Sequence, residues 1–467
     1  MPSRPNILLI ITDQQRGDCL SSDGHPVLLT PNMDEIGGMG ARFTRAYTTC
    51  PSCIASRRSI LSGQFPATHG MVGYQDGVEW LAPPTLPAVL RDAGYQTRMV
   101  GRSMHQYPPR KRYGYEEMAT YDHMGADDYG DWLRQHGIDT PDAWLGAGVM
   151  HNDWTAHPWY LEERFHFTNW AVDEALRVLA RRDPSCPFFL TLSFIAPHPP
   201  LQPPAFYFER YLRTGVPDRL IGDWASPPPN HGLGDGVSHS SVDLTGEALL
   251  SARAAYFGLI NHVDDQLRRL LNPVTGLNGM LDDTIVLFTS DHGEMLGDHY
   301  LFRKIVPYEP STRIPLLLRA PARFGIRPRT VLEQPVCLED IMPTLLDLAD
   351  VPIPETVEGR SLLPLLRAET TCWREYLHLE HAPLHHTLTD GREKFIWFVA
   401  DGREQFFDLT RDPGECRDLI RDPSRQARIN HWRAQLIAEL ADRPEGFSDN
   451  TRLIPGRPYP PVLRRED

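Results

Sequence analysis

Asn6-Ile7-Leu8-Leu9-Ile10-Ile11-Thr12-Asp13 decides the architecture of this chain. Residues 6–12 are a continuous apolar run with no polar alternation, the pattern of a strand buried on both faces. The run stops at an acidic residue, followed by Gln14 and Gln15. Similar runs recur at Gln96–Val100, Pro187–Phe194, Thr284–Thr289 and Pro315–Arg319. Helical periodicity fills the intervals at Pro31–Gly37, Leu86–Ala93, Thr168–Arg181, Ser251–Leu271 and Cys337–Leu348. Strands alternating with helices predict an α/β fold, a large mostly parallel sheet sandwiched by helices. Ligands of such sheets bind at the carboxyl ends of the strands, where Asp13 and Asp291 both fall.

Residues 200–245, rich in Pro, Gly, Ser and Asp, read as a long surface excursion. Near residue 370 the pattern changes. Thr387–Ala400 alternates loosely, Gly402–Leu409 forms a short strand and Ser424–Ala441 reads as an amphipathic helix. We therefore expect a catalytic domain over 1–370 and a small C-terminal α+β subdomain over 371–467, with an antiparallel sheet and one helix.

The 467 residues suit one large domain plus an appendage. A net charge of −14 excludes wrapping of nucleic acid and disfavours an anionic membrane surface. An anionic substrate would have to be drawn by a local cationic pocket against this field. Seven irregularly spaced cysteines argue against a secreted disulfide framework. The first apolar run is too short to span a bilayer and precedes no small-residue cleavage site, so the expected location is cytoplasmic, or periplasmic if a signal was trimmed.

Three groups of residues carry chemistry. Asp13 at a strand end could simply cap a turn, but Asp291-His292 ends a second buried run. Two such ends can converge on one divalent cation; carboxylates suit Ca²⁺, Mg²⁺ or Mn²⁺, and the imidazole favours Mn²⁺ a little. Cys53 lies in Cys50-Pro51-Ser52-Cys53-Ile54-Ala55-Ser56-Arg57, then Leu61-Ser62-Gly63. As a Cys-x-x-Cys it could be a redox pair, a zinc half-site or a structural thiol, but no second ligand pair accompanies it, and those readings leave Arg57 unexplained. Finally, Arg102 and His105 follow a predicted strand, and His198, among prolines, closes another. Alone, each is more simply a solvated or structural side chain.

Taken together, the order Pro5-Asn6-Ile7 to Asp13, the Cys53 motif, Ser290-Asp291-His292-Gly293 and the tail Phe407-Asp408-Leu409 to Gly414-Glu415 resembles the type I, formylglycine-dependent sulfatases of the alkaline phosphatase superfamily. The resemblance runs from residue 5 to about 420. It implies an alkaline-phosphatase-like fold and hydrolysis of a sulfate monoester (aryl, alkyl or carbohydrate) to an alcohol and sulfate. It implies that Cys53 is oxidised to formylglycine by a maturing enzyme, and that Asp13, Cys53, Asp291 and His292 hold one divalent cation, Ca²⁺ first, Mn²⁺ or Mg²⁺ otherwise. By the same resemblance Arg57 holds the hydrated aldehyde and Arg102 binds an oxyanion, replacing a family lysine. His105 takes a proton, His198 contacts sulfate and could donate a proton, and Lys304 bridges sulfate and leaving group. Gln14 stands where many sulfatases carry a second Asp, as in phosphonate monoester hydrolases. That keeps a phosphonate monoester or phosphodiester hydrolase as the alternative; an unmodified, non-catalytic binding protein is the alternative of another class. The implied partner is a small sulfated substrate, with no nucleic acid or membrane; oligomeric state is open.

Overall fold

The opening run lies at the centre of the sheet. The computed structural model describes residues 4–122, 126–138, 148–149, 152–228, 240–272, 276–277, 279–370 and 372–463. Its strands are β1 Asn6–Asp13, β2 Ala41–Phe43, β3 Ala46–Tyr47, β4 Gln96–Arg102, β5 Glu117–Asp122, β6 Ala126–Asp127, β7 Phe188–Pro197, β8 Thr284–Ser290, β9 Leu316–Arg319, β10 Thr330–Leu332 and β11 Val336–Cys337. Four more follow in the appendage: β12 Leu377–His381, β13 His385–Thr389, β14 Glu393–Phe398 and β15 Glu404–Asp408.

Nine strands form one sheet in the order β10-β2-β9-β8-β1-β7-β4-β5-β6. The centre is parallel: β1 pairs with β7 and β8, and β4 with β7 and β5. The edges are not, because β9 runs antiparallel to both β8 and β2, and β6 antiparallel to β5. Pro315–Arg319 is therefore a strand as expected, but in a reversed edge position that an apolar run does not reveal.

Side chains of β1 alternate between two cores, as the pleat demands. Leu8 and Ile10 pack with Leu192, Phe288 and the helices Phe167–Arg181 and Gly246–Leu271. Ile7, Leu9 and Ile11 pack on the other face with Ile285, Leu287 and the helices Leu86–Asp92 and Ile341–Leu348. Both faces are covered, which is why the strand carries no polar alternation.

The expected excursion at 200–245 is only partly irregular. Residues 229–239 lie outside the description, but Ala205–Thr214 is a helix that buries Tyr207, Phe208 and Tyr211. Its aromatic face was obscured by the prolines around it. In the appendage β12-β13-β14-β15 form an antiparallel sheet, and the helix Gln426–Glu439 covers it through Ile429, Trp432 and Leu436. None of the helices described is long and apolar enough to cross a membrane.

Candidate active site

Four strand ends converge. Asp13 ends β1, Asp291-His292 follows β8, His198 follows β7, and Arg102 ends β4. Gly101, just before Arg102, has φ +106°, and a Cβ there would meet the Ser193 carbonyl at 1.9 Å. Only glycine lets β4 approach β7 closely enough to deliver Arg102.

Cys53 is the first residue of a helix, Cys53–Ser62, ended by Gly63 at φ +65°. A helix N-terminus favours negative charge. Arg57 lies one turn on, on the same face. Its Nε donates to Asp291 Oδ2 at 2.8 Å, its Nη2 to Asp13 Oδ2 at 3.1 Å, and its Nη1 to Ser193 Oγ at 2.8 Å and the Arg102 carbonyl at 3.2 Å. Arg102 Nε stands 2.7 Å from the same Asp13 oxygen. Burial raises the Asp13 carboxyl, yet Arg102, His198, Arg57 and His292 outweigh it and hold Asp13 well below the usual carboxylate range.

Asp13, Cys53, Asp291 and His292 are all buried, and each offers a ligand atom within 4.8 Å of the others. The donor chemistry fits one divalent cation: two carboxylates, one imidazole and the Cys53 position. His292 is oriented for it. Its Nδ1 donates to the Gly293 carbonyl at 3.1 Å, leaving the Nε2 lone pair facing Cys53 Sγ at 3.1 Å. Burial lowers the His292 pKa, but Asp291 and Cys53 raise it, and the balance is upward.

Two nearby thiols differ sharply. Burial pushes Cys50 well up, with Glu380 and Glu339 adding to it. Burial and Asp13 also push Cys53 up, but Lys304 and His292 bring it below its ordinary value. Both cysteines are free, so the Cys50-x-x-Cys53 spacing makes no disulfide here.

The opposite wall is cationic. Lys304 Nζ donates to Gln14 Oε1 at 2.7 Å and to His198 Nε2 at 2.9 Å. His198 Nδ1 is 2.5 Å from the Pro199 carbonyl, which can only accept. In this arrangement His198 keeps its proton on Nδ1 and offers a lone pair to Lys304. Burial lowers its pKa well below the usual value, and Lys304 lowers it further. His198 therefore steers the Lys304 ammonium. Lys304 lies between two left-handed residues, Arg303 at φ +71° and Ile305 at φ +72°. A β-branched residue in that region is strained, and such strain is found where a side chain is aimed.

All nine sequence-selected residues meet in this one region. Sequence reading missed Glu294, whose carboxylate accepts from Gln14 Nε2 and the Leu296 amide. Its place three residues after Asp291 was the available signal. Asp298 belongs to a structural brace, paired with Arg16 at 2.8 Å and Arg253 at 2.6 Å. His381, His385 and His386 are buried in β12 and β13. Trp159 and Trp170 belong to the core, with Trp154 packed against it.

A caged cation site at the carboxyl ends of a parallel sheet, ringed by arginines and a lysine, defines a hydrolase of oxyanion esters. The sulfatase family model matches residues 5–351, and the model of the C-terminal part of N-sulphoglucosamine sulphohydrolase matches residues 297–442. An arylsulfatase of Clostridium perfringens is 42% identical, covering 97% of this chain and 98% of its own length. A choline-sulfatase of Rhizobium meliloti is 31% identical, covering 92% and 87%. The crystal structure of a phosphonate monoester hydrolase of Agrobacterium radiobacter matches with a TM-score of 0.79 at 25% identity, covering 94% and 96%. The chain belongs to the sulfatase family, enzymes that hydrolyse sulfate esters on the alkaline phosphatase superfamily fold.

Proposed function

We propose that Cys53 is the precursor of a formylglycine and that the enzyme cleaves a small aryl, alkyl or carbohydrate sulfate at a single divalent cation, Ca²⁺ in first place. The carrying observation is the position of Cys53 Sγ, which marks where the reactive oxygens of the modified residue would sit. It is 3.1 Å from His292 Nε2 and 3.9 Å from both Asp13 Oδ1 and Arg102 Nη2, at a buried helix N-terminus. Asp13, Asp291, His292 and residue 53 would hold the cation. Together cation and aldehyde hydrate would supply an oxygen nucleophile at neutral pH and a Lewis acid for a sulfate oxygen.

The remaining chemistry belongs to the side chains. Arg57 fixes both carboxylates and leaves the Cys53 position fixed above them. Arg102 and Lys304 present cationic donors to the non-bridging sulfate oxygens as charge develops. Lys304, steered by His198 and Gln14, donates its proton to the departing alkoxide. His105, once Arg102 Nη2 turns from its Nε2 toward sulfate, accepts a proton from the position-53 side.

A second reading, phosphonate monoester hydrolysis, is favoured by Gln14 after Asp13 and by the likeness to the Agrobacterium enzyme. Mass spectrometry of the Cys53 peptide from the native host tests the modification: loss of the thiol mass is expected, and an intact thiol removes the nucleophile. Rates on an aryl sulfate and an aryl phosphonate ester then separate the two readings. A strong preference for the phosphonate overturns the first.

A further inference from the structure

His105 meets a carboxylate that none of the site motifs contains. It follows β4, is buried, and has φ +54°, an uncommon backbone state for a histidine. Arg102 Nη2 stands 2.6 Å from His105 Nε2. A guanidinium has donors only, so this nitrogen of the ring carries a lone pair. The proton of the neutral imidazole is then on Nδ1. That nitrogen stands 3.2 Å from Asp76 Oδ1. The other oxygen of Asp76, Oδ2, accepts from the Tyr74 hydroxyl at 2.6 Å. The Tyr74 ring also packs edge-on against His105, with centroids 6.2 Å apart.

The segment is anchored to the site. Ser52 Oγ, one residue before Cys53, donates to the Gly73 carbonyl at 3.2 Å. A Cβ at Gly73 would meet Pro461 at 2.7 Å, so the chain there is tightly packed. Burial and Asp76 raise the Tyr74 phenol, which stays protonated and able to donate.

We propose that Asp76 is a positioning residue for His105, with Tyr74 as its brace, and that it reinforces the Nδ1–H tautomer, whose Nε2 receives a proton once Arg102 Nη2 turns away from it. This rests on the reading of His105 as proton acceptor at the position-53 side. Asp76 keeps the proton on Nδ1 and faces the positive charge that His105 gains when Nε2 is protonated. It takes no proton itself. Both its oxygens face protein partners, one the imidazole and one the phenol. Its part is therefore to hold His105 rather than to bind a cationic substrate, although its side chain is 39% exposed at the mouth.

The test begins without turnover. In protein carrying Cys53→Ala, ¹⁵N imidazole shifts of His105 are expected to report protonated Nδ1 and bare Nε2. In Asp76→Asn, the carboxamide can donate to Nδ1, so the opposite tautomer should gain population. An Nε2–H tautomer in the Asp76 protein overturns the proposal, as does a spectrum unchanged by Asp76→Asn. In active enzyme, Asp76→Asn should lower kcat about 10²-fold or more with little change in KM, Asp76→Glu should recover part of it, and Tyr74→Phe should cost less. Full kcat in Asp76→Asn also overturns the proposal. An intact thiol at Cys53 in native protein would defeat the formylglycine reading and leave the tautomer result standing, so the two failures are distinguishable.

Discussion

Two buried ionic clusters hold this molecule together, and they are built on opposite principles. At the strand ends, Arg57 and Arg102 pair with Asp13 and Asp291, and Lys304 donates to Gln14, whose amide in turn donates to Glu294. In the appendage, Lys394 of β14 is fully buried between Glu309 and Glu415, 2.8 Å from each, and also donates to the Pro307 carbonyl at 3.0 Å. In one cluster the Lys304 ammonium is held by neutral groups, Gln14 and His198, and an oxyanion can meet its charge. The other answers its single cation with two carboxylates of its own. A buried charge costs free energy unless it is paired or hydrogen-bonded, and a cation held by neutral groups still has its charge to offer an anion. The first cluster is therefore a binding site, and the second is a clamp.

The clamp grips the segment that carries the site. Lys394, Glu415 and Gln405 hold Pro307, Glu309 and Tyr308, three to five residues after Lys304. The four-stranded appendage thus reaches the chemistry by fixing the strained turn at Lys304. This gives the largest expected effect. Lys394→Met leaves buried carboxylates unpaired and should cost about 3 kcal/mol or more of stability. It should also lower kcat in the folded protein, measured below the melting transition. A destabilised variant with unchanged kcat would make the clamp a purely structural staple.

The converse substitution sharpens the contrast. Lys304→Gln removes a buried cation whose hydrogen-bond partners, Gln14 and His198, are neutral, so melting temperature should stay level or rise. Activity should fall about 10²- to 10³-fold, from loss of oxyanion binding and of the departing-oxygen proton. A drop in stability comparable to that of Lys394→Met would show that the two clusters are of one kind.

The sequence made one of these clusters legible and concealed the other. Asp13, Asp291 and His292 terminate runs so apolar that two acidic ends and a histidine stand out together, and Cys53 with Arg57 sits at helical spacing. The parallel centre of the sheet followed from the same runs. Lys394 gave no such signal, and Glu415 was read only as the end of the tail motif. Each sits in an ordinary mixed-polarity stretch, and their meeting depends on how a distant β-sheet docks. Asp76 was hidden for the same reason, lying 29 positions before His105 in a loop without periodicity. The helix at Ala205–Thr214 was lost among flanking prolines.

The smallest expected effect separates the clusters by pH. Burial raises the Glu415 carboxyl, Lys394 opposes this and Glu309 adds to it, for a net value of about 7 against 4.5 for a free glutamate. Between these values the folded protein binds more protons at this position than the unfolded chain does. By linkage its contribution to stability is complete below pH 4.5 and is lost as pH rises through about 7. Glu415→Gln cannot titrate, and its amide imitates the protonated acid. The variant should therefore lie closest to the parent at the acid end. The parent should lose stability relative to the variant, on the order of 1 to 3 kcal/mol, as pH rises across the window. Comparing denaturant midpoints of the two proteins at pH values spanning the window cancels the titrations they share, those of the Asp13–Arg57 cluster included. A difference that stays flat would mean Glu415 is ionised throughout, and the clamp would then hold two full negative charges against one lysine.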